Sequence, residues 1–262
     1  MLSDRRSVTM FLLDTNVWIG VGRDALLTAK LEKAVANQGK CLIAPPALIE
    51  LVRGLVLHGK ETFAEDKKTY QWMKDHKCEV LELPRPFMAK VLGSTSPTKS
   101  GVVPTHYGQL IDMVVNSATF DEFVQQCNAN GSVWKSVESL DGIHEGQIEK
   151  QLRSLEDLAR QGGDLGIPGR LSMMFGAPGS RPKPLIISRQ FSAAIEYLET
   201  SVRKVVHQGA NPRKNDRGLY VDFQLLMYLA IPGLIFLTNE DFSGEIKKSP
   251  QKDRIVRPDA IL

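Results

Sequence analysis

The sequence is poor in cysteine and has no long apolar run. Only three cysteines occur in 262 residues, and Cys41, Cys78 and Cys127 lie too far apart along the chain to form a metal-binding pair. So sparse and odd a set argues against a disulfide framework and fits a reducing compartment. We therefore expect a cytoplasmic protein, in which Cys41 and Cys78 behave as small buried hydrophobic residues. No apolar stretch reaches the length of a signal-peptide core or a membrane span, so no membrane contact is expected.

The chain also lacks a strong excess of charge of either sign. Its formal net charge is +3, which permits a polyanionic partner without demanding one. The five histidines show no zinc-type spacing, and no internal repeat is visible. With 42% hydrophobic residues, the chain can support its own core as one large domain or as a domain with an insertion.

Both ends of the chain carry the pattern of an α/β protein. Short apolar runs typical of buried strands alternate with segments of helical periodicity. The predicted strands are Thr9–Leu13, Cys41–Ile43, Glu79–Leu83, Leu234–Leu237 and Ile255–Arg257, and the predicted helices are Ala25–Asn37, Ala47–Leu57, Glu61–His76 and Leu219–Ala230. The alternation predicts an α/β core with a parallel sheet, formed by residues 1–83 and 211–262.

Residues 84–210 depart from this pattern because they contain no clear strand. His106–Cys127, Val133–Gln161 and Pro184–Gln208 have helical character. Residues 162–184 are dense in glycine and proline, which predicts a long mobile loop. We interpret residues 84–210 as a helical insertion in the α/β core, or as an enlarged helical layer on it.

Acidic residues stand where the predicted strands end. Asp14 follows the first strand, Glu50 lies one turn into the helix after the second, and Glu240 and Asp241 follow the fourth. Asp222 lies in the helix before the fourth strand. Ligands of open α/β sheets bind beyond the carboxyl ends of the strands, and carboxylates in apolar sequence need compensation. Mg²⁺ or Mn²⁺ would supply it, and such a cation can activate water against a phosphodiester.

Each acid taken alone has a simpler interpretation. Asp14 could belong to a strand-to-helix turn in which Thr15 or Asn16 caps the helix. Glu50 could be a surface residue of an amphipathic helix, whereas the apolar neighbours of Asp222 leave little room for a solvated face. The inference of a cation site therefore rests on the acids as a set.

Four segments of the chain resemble a known family. In order, FLLDTNVWIG, PPALIELVRG, YVDFQLLMYLA and LIFLTNEDF resemble the acidic motifs of PIN-domain proteins, and RIVRPDAIL resembles the final edge strand of many such domains. The resemblance covers roughly the first third and the last fifth of the chain but not its middle. It implies a three-layer α/β/α sandwich with a mainly parallel sheet, and a metal-dependent nuclease that most often acts on RNA.

The resemblance also implies a role for each matching residue. Asp14 would be the central metal ligand, Glu50 the second acid and Asp222 the third. The fourth motif of the family reads Thr, any residue, Asp; here Glu240 takes the place of that Asp, and Asp241 stands beside it, so either could be the fourth ligand of Mg²⁺ or Mn²⁺. The small polar residues that would position acids or phosphate are Thr15, Asn16, Thr238 and Asn239.

The predicted activity is that of a divalent-metal-dependent endoribonuclease, either toxin-like or RNA-processing. The resemblance implies single-stranded or structured RNA as the substrate, and basic residues near the acids can bind its phosphates. These residues are Arg53, Arg213, Lys214 and Arg217. A protein inhibitor or another partner could bind the helical insertion, and a homodimer is a further expectation from small members of the family.

Two other functions stay open. A PIN fold with a weak or inactive site would serve as an RNA-binding or scaffold protein, and the departure at Glu240 supports this alternative. A phosphatase with an aspartate nucleophile needs a second Asp two residues after the first. This chain has Asn16 there, which disfavours that class.

Overall fold

A computed structural model describes residues 9–37, 39–94, 104–131, 166–175, 181–208 and 216–261 of the protein. The fold is α/β: one sheet of five strands, all parallel, lies within a three-layer α/β/α sandwich. The strands are β1 (Thr9–Leu13), β2 (Gly39–Ile43), β3 (Glu79–Val80), β4 (Leu234–Leu237) and β5 (Ile255–Val256). The predicted fold class is therefore confirmed, and the predicted mainly parallel sheet is parallel throughout.

Strand β1 lies at the centre of the sheet, whose order is β3–β2–β1–β4–β5. Phe11 aligns with Cys41 of β2 on one side and with Ile235 of β4 on the other. The last three residues of β1 and β2 are buried, because a parallel strand is covered on both faces and needs a continuous apolar run. The predicted bounds of β1 and β4 are confirmed, whereas β3 ends earlier than predicted, at Val80.

Helices make up most of the rest of the described chain. They are α1 (Thr15–Arg23), α2 (Ala25–Ala36), α3 (Pro45–Asp75), α4 (Pro84–Val91), α5 (Pro104–Asn116), α6 (Phe120–Ala129), α7 (Gly166–Met174), α8 (Pro184–Gln190), α9 (Ser192–Gln208) and α10 (Asp216–Met227). A 3₁₀ turn, Tyr228–Ala230, continues α10 toward β4. None of these helices is both long and apolar enough to cross a membrane.

Helix α3 is a single helix of 31 residues where the sequence predicted two, so that prediction is wrong. Pro45 and Pro46 occupy its first turn, where proline costs no backbone hydrogen bond. The predicted break between the two helices contained Gly59, and glycine has a low helix propensity. A Cβ atom added to Gly59 would lie 2.7 Å from a ring carbon of Phe120 in α6. The glycine therefore lets α6 pack closely and does not end the helix.

Two other predicted helices of the middle region are each divided. His106–Cys127 is interrupted between α5 and α6, where Thr119 caps α6 by accepting a hydrogen bond from the Glu122 N–H at 3.2 Å. The Glu122 carboxylate in turn accepts from the N–H of Ala118, the residue before the cap, at 2.6 Å. Pro184–Gln208 is interrupted at Phe191, which is fully buried between α8 and α9.

The predicted mobile loop at 162–184 contains helix α7, so that prediction is wrong for residues 166–174. Pro168 lies in the first turn of this helix, a position that suits proline. Ile167 and Phe175 are buried, and Ser172 donates a hydrogen bond to the Pro182 carbonyl at 2.6 Å. Packing of these side chains outweighs the glycine and proline content. The predicted helix Val133–Gln161 lies outside the described residues.

Helix α9 fixes the segment between β4 and β5. The Glu196 carboxylate accepts hydrogen bonds from the backbone N–H groups of residues 247–249 at 2.7–3.0 Å. Thr200 donates to the Glu245 carbonyl at 3.2 Å. Burial raises the pKa of Glu196, but the three backbone donors outweigh it and hold that pKa below its ordinary value. Because α9 also packs on α10, the middle region is joined to the end of the chain.

Cys41 and Cys78 are neighbours in the structure although the sequence separates them widely. Leu42 pairs with Glu79 in the β2–β3 ladder, so Cys41 and Cys78, one residue earlier in each segment, stand side by side. The contact between the two thiols, together with burial, raises the pKa of Cys78. All three cysteines are free thiols, and Cys127 is buried in α6.

Candidate active site

The sheet topology brings three acids to one edge. Asp14 directly follows β1, Glu50 lies in the second turn of the helix after β2, and Glu240 is three residues beyond β4. These strands are neighbours and run in the same direction, so their carboxyl ends share one edge of the sheet. Asp222 reaches the same region from α10, and its electrostatic interactions with the other three acids place all four together.

Asp14 is held by backbone and side-chain hydrogen bonds. Its side chain caps α1 by accepting from the Thr15 N–H at 2.7 Å, so Asp14 is the cap where the sequence suggested Thr15 or Asn16. The Thr238 hydroxyl donates to its second carboxylate oxygen at 3.0 Å. Burial raises the pKa of Asp14 to about 6 despite these donors, and the charges of Glu50 and Glu240 add to the rise. Helix capping and an unusual protonation equilibrium therefore coexist at this residue.

Glu50 faces Asp14 from the start of α3. The Thr15 hydroxyl donates to its carboxylate at 2.5 Å, so Thr15 contacts both acids through different groups. Burial raises the pKa of Glu50, while the Thr15 hydrogen bond and the positive charge of Arg53 oppose the rise. Glu50 is thus part of the cluster and not a solvated residue of an amphipathic helix.

Asp222 lies on α10, partly buried, and accepts a hydrogen bond from the Tyr197 hydroxyl at 2.8 Å. Burial is the main reason that its pKa rises to about 7; the Tyr197 donor opposes the rise, and the charges of Asp14, Glu240 and Glu50 reinforce it. Tyr197 was missed by the sequence analysis. It lies in α9, 25 residues before Asp222, and no local pattern marks a buried tyrosine as the partner of a distant acid.

Glu240 and Asp241, adjacent in sequence, have different surroundings. The Glu240 N–H donates to the Thr238 hydroxyl at 3.0 Å, and Asn16 donates to the Glu240 carboxylate at 3.3 Å. Both residues are exposed, but the Asp241 carboxylate accepts from the Ser243 N–H at 3.0 Å, which lowers the pKa of Asp241. The negative charge of Glu240 raises the pKa values of Asp14 and Asp222, so Glu240 is the better candidate for the fourth acid.

The remaining predicted residues are only partly described. Asn239 is exposed in the turn after β4. Arg53 lies close enough to Glu50 to influence its pKa. Arg213 and Lys214 lie outside the described residues, and the same holds for the side chain of Arg217, whose backbone belongs to α10. Their predicted contacts with phosphate stay predictions.

The donor set suits a hydrated hard cation better than a tightly caged one. Over the described ranges, no group of three or more His, Cys, Asp or Glu side chains is arranged to hold a metal ion. Mg²⁺, however, keeps several waters and usually takes only one or two carboxylates from a protein. Burial and, after it, the charges of the neighbouring acids raise the pKa values of Asp14 and Asp222, and such an ion would compensate both effects. Asp14, Glu50, Asp222 and Glu240 are the carboxylates that could hold Mg²⁺ or Mn²⁺.

Comparisons with protein-family models, with curated proteins and with solved structures found no match. The resemblance to PIN domains therefore rests on the four motifs of the sequence.

Proposed function

We propose that the protein is a divalent-metal-dependent nuclease of the PIN type, and most specifically an endoribonuclease. The observation that carries the proposal is the set of four interacting acids at the carboxyl edge of a parallel sheet. Asp14 and Asp222 are shielded from water and stand beside other negative charges. Their pKa values therefore rise to about 6 and about 7. Such an arrangement is unfavourable for the fold alone, and perturbed acids of this kind cluster at functional sites.

The cation would be Mg²⁺ or Mn²⁺, and Asp14, Glu50, Asp222 and Glu240 are the residues that would hold it. When bound, it supplies charge stabilisation and an activated water for phosphodiester hydrolysis. The protein itself fixes the acids before substrate arrives. Thr238 and the Thr15 N–H orient Asp14, and Tyr197 orients Asp222. Because these donors are fixed by the fold, the carboxylates need little reorganisation during the reaction.

The substrate is a polyanion, so the acids repel it until their charge is neutralised. Arg53, one turn beyond Glu50 on α3, can contact a phosphate beside the scissile one. The hydrolytic route needs no 2′-hydroxyl, so the preference for RNA follows from the family resemblance and not from the chemistry. A cytoplasmic location is part of the same proposal.

A second function is an RNA-binding or scaffold protein with a weak site. The observation that favours it is the absence, across the described part of the chain, of a three-ligand metal group. The longer side chain of Glu240 at the fourth position points the same way. A protein of this second kind would bind RNA without cutting it.

The two functions are separated by incubating purified protein with single-stranded and structured RNA, in Mg²⁺, Mn²⁺ or EDTA. We expect cleavage that requires the metal and falls at least about a hundredfold in an Asp14→Asn, Asp222→Asn double variant. Glu32→Gln removes an exposed negative charge on α2, and this variant should cut RNA like the wild type. RNA binding without cleavage would favour the scaffold, and cleavage that survives the double variant would refute the assigned site.

A further inference from the structure

A groove lies beside the four acids, between helices α1 and α3. It encloses about 220 Å³, and its lining includes Ile19 of α1 and Glu50, Leu51, Gly54, Leu55 and His58 of α3. Glu50 thus belongs both to the acidic cluster and to one end of this groove. A ligand at the acids can therefore extend directly into the groove.

The groove follows one face of α3. Glu50, Gly54 and His58 are spaced by four residues, so they lie above one another on the helix surface. One step between them covers about 6 Å along the helix axis. A single nucleotide can therefore place its phosphate near Glu50 while its base reaches the level of Gly54.

Gly54 has no packing reason to be a glycine. It lies inside α3, where glycine disfavours the helix relative to alanine. A Cβ atom added there would have no neighbour within 4 Å, whereas one added to Gly59 in the same helix would collide with Phe120. The missing side chain at Gly54 instead keeps the groove open next to Glu50.

The lining combines apolar walls with polar groups at the rim. Ile19, Leu51 and Leu55 supply apolar surface, and the His58 imidazole is exposed at the edge. The Thr62 hydroxyl lies at the other end, where it donates to Asp66 at 2.5 Å. Unpaired bases are recognised by stacking on rings such as that of His58, together with a few polar groups.

We propose that the groove between α1 and α3 binds one unpaired nucleobase of the substrate, next to the phosphate held at the acids. The proposal rests on the proposed nuclease function and makes the substrate a single-stranded segment. An apolar side chain of a protein partner would lack the adjoining phosphate, so a nucleotide fits the continuity with Glu50 better.

The test uses the full chain with Asp14→Asn, in Mg²⁺, so that binding is measured without cleavage. The probes are a fluorescent oligouridylate and a chain of equal length whose central nucleotides are abasic. Into this background we introduce Gly54→Leu, which fills the groove, or Gly108→Leu, its matched control. Gly108 is also a helix glycine with nothing within 4 Å of an added Cβ, but it lies in α5 and does not line the groove.

Because Gly54→Leu would prevent the stacking and burial of one base, we expect it to lower the affinity for oligouridylate about tenfold or more. The loss should appear with oligouridylate, shrink to nearly nothing with the abasic chain, and be absent for Gly108→Leu. Equal losses with both probes, or no loss, would overturn the base pocket while leaving RNA binding intact. If the wild type in Mg²⁺ neither binds nor cuts either probe, the proposed function fails together with the pocket.

Discussion

The sharpest prediction concerns Asp222, whose negative charge should destabilise the fold that carries it. Replacing Asp222 by asparagine keeps the shape of the side chain and an oxygen that can accept from Tyr197. It removes the charge that burial and three neighbouring acids disfavour. We therefore expect Asp222→Asn to unfold less readily than the wild type at pH 8 without divalent ions, although it should be inactive as a nuclease.

The magnitude follows from the shift in pKa. The pKa of Asp222 rises from 3.8 to about 7, and roughly three units at about 1.4 kcal/mol each give an upper limit of about 4 kcal/mol. Asp222 is only partly buried, so solvent screening reduces the effect. We expect a gain on the order of 2 kcal/mol in the free energy of unfolding, an effect that a urea titration resolves easily.

The sign of the pH dependence is fixed by linkage. A carboxyl group with a raised pKa binds its proton more tightly in the folded state. The wild type should therefore lose stability as the pH rises from about 4 to about 7, and the penalty should be complete above that range. The advantage of Asp222→Asn should accordingly be largest at pH 8 and fade toward pH 4.

The assay is urea unfolding of both proteins at pH 8 and pH 4.5 in EDTA, repeated with Mg²⁺. Asp241→Asn is the matched control, because Asp241 carries the same charge nearby but is exposed and has a lowered pKa. It should bring no gain at pH 8. Mg²⁺ should stabilise the wild type more than Asp222→Asn. A less stable Asp222→Asn protein at pH 8, or an advantage independent of pH, would refute the account of the site.

Three further predictions address the supports of the site and the sheet. Tyr197→Phe removes the donor to Asp222 and should weaken Mg²⁺ binding about tenfold, measured by thermal shift, with an unchanged affinity counting against a positioning role. Glu196→Gln removes a charged acceptor of three backbone N–H groups and should cost about 2 kcal/mol at pH 7. Because the pKa of Glu196 is lowered, the loss in urea unfolding should diminish as the pH falls from the ordinary glutamate pKa through the lowered one, and a loss that stays constant would contradict this. Cys41 is buried and the pKa of Cys78 is raised, so iodoacetamide should alkylate both thiols far more slowly in the folded protein than in urea; equal rates in the two states would contradict the shielded contact between them.

Local sequence patterns predicted the sheet and its acidic edge well. Buried parallel strands require uninterrupted apolar runs, and the acids that follow them, such as Asp14, are fixed by where each strand ends. The continuity of α3 could not be predicted in this way, because Gly59 is explained by Phe120, which lies 61 residues later. The contact between the thiols of Cys41 and Cys78 likewise depends on the order of the strands in the sheet. These features depend on contacts between distant segments, which periodicity does not encode.

Helix α9 shows why the middle region matters to the site. Two adjacent residues of this helix act on separate parts of the C-terminal segment: Glu196 holds the backbone of residues 247–249, and Tyr197 holds Asp222. The first contact restrains the chain between Glu240 and β5, while the second orients an acid of the cluster. An α/β core without residues 84–210 would keep the four acids but lose both restraints. Asp222 would then be free to turn toward water, so we infer that α9 is needed to hold this acid beside the other three before any cation binds.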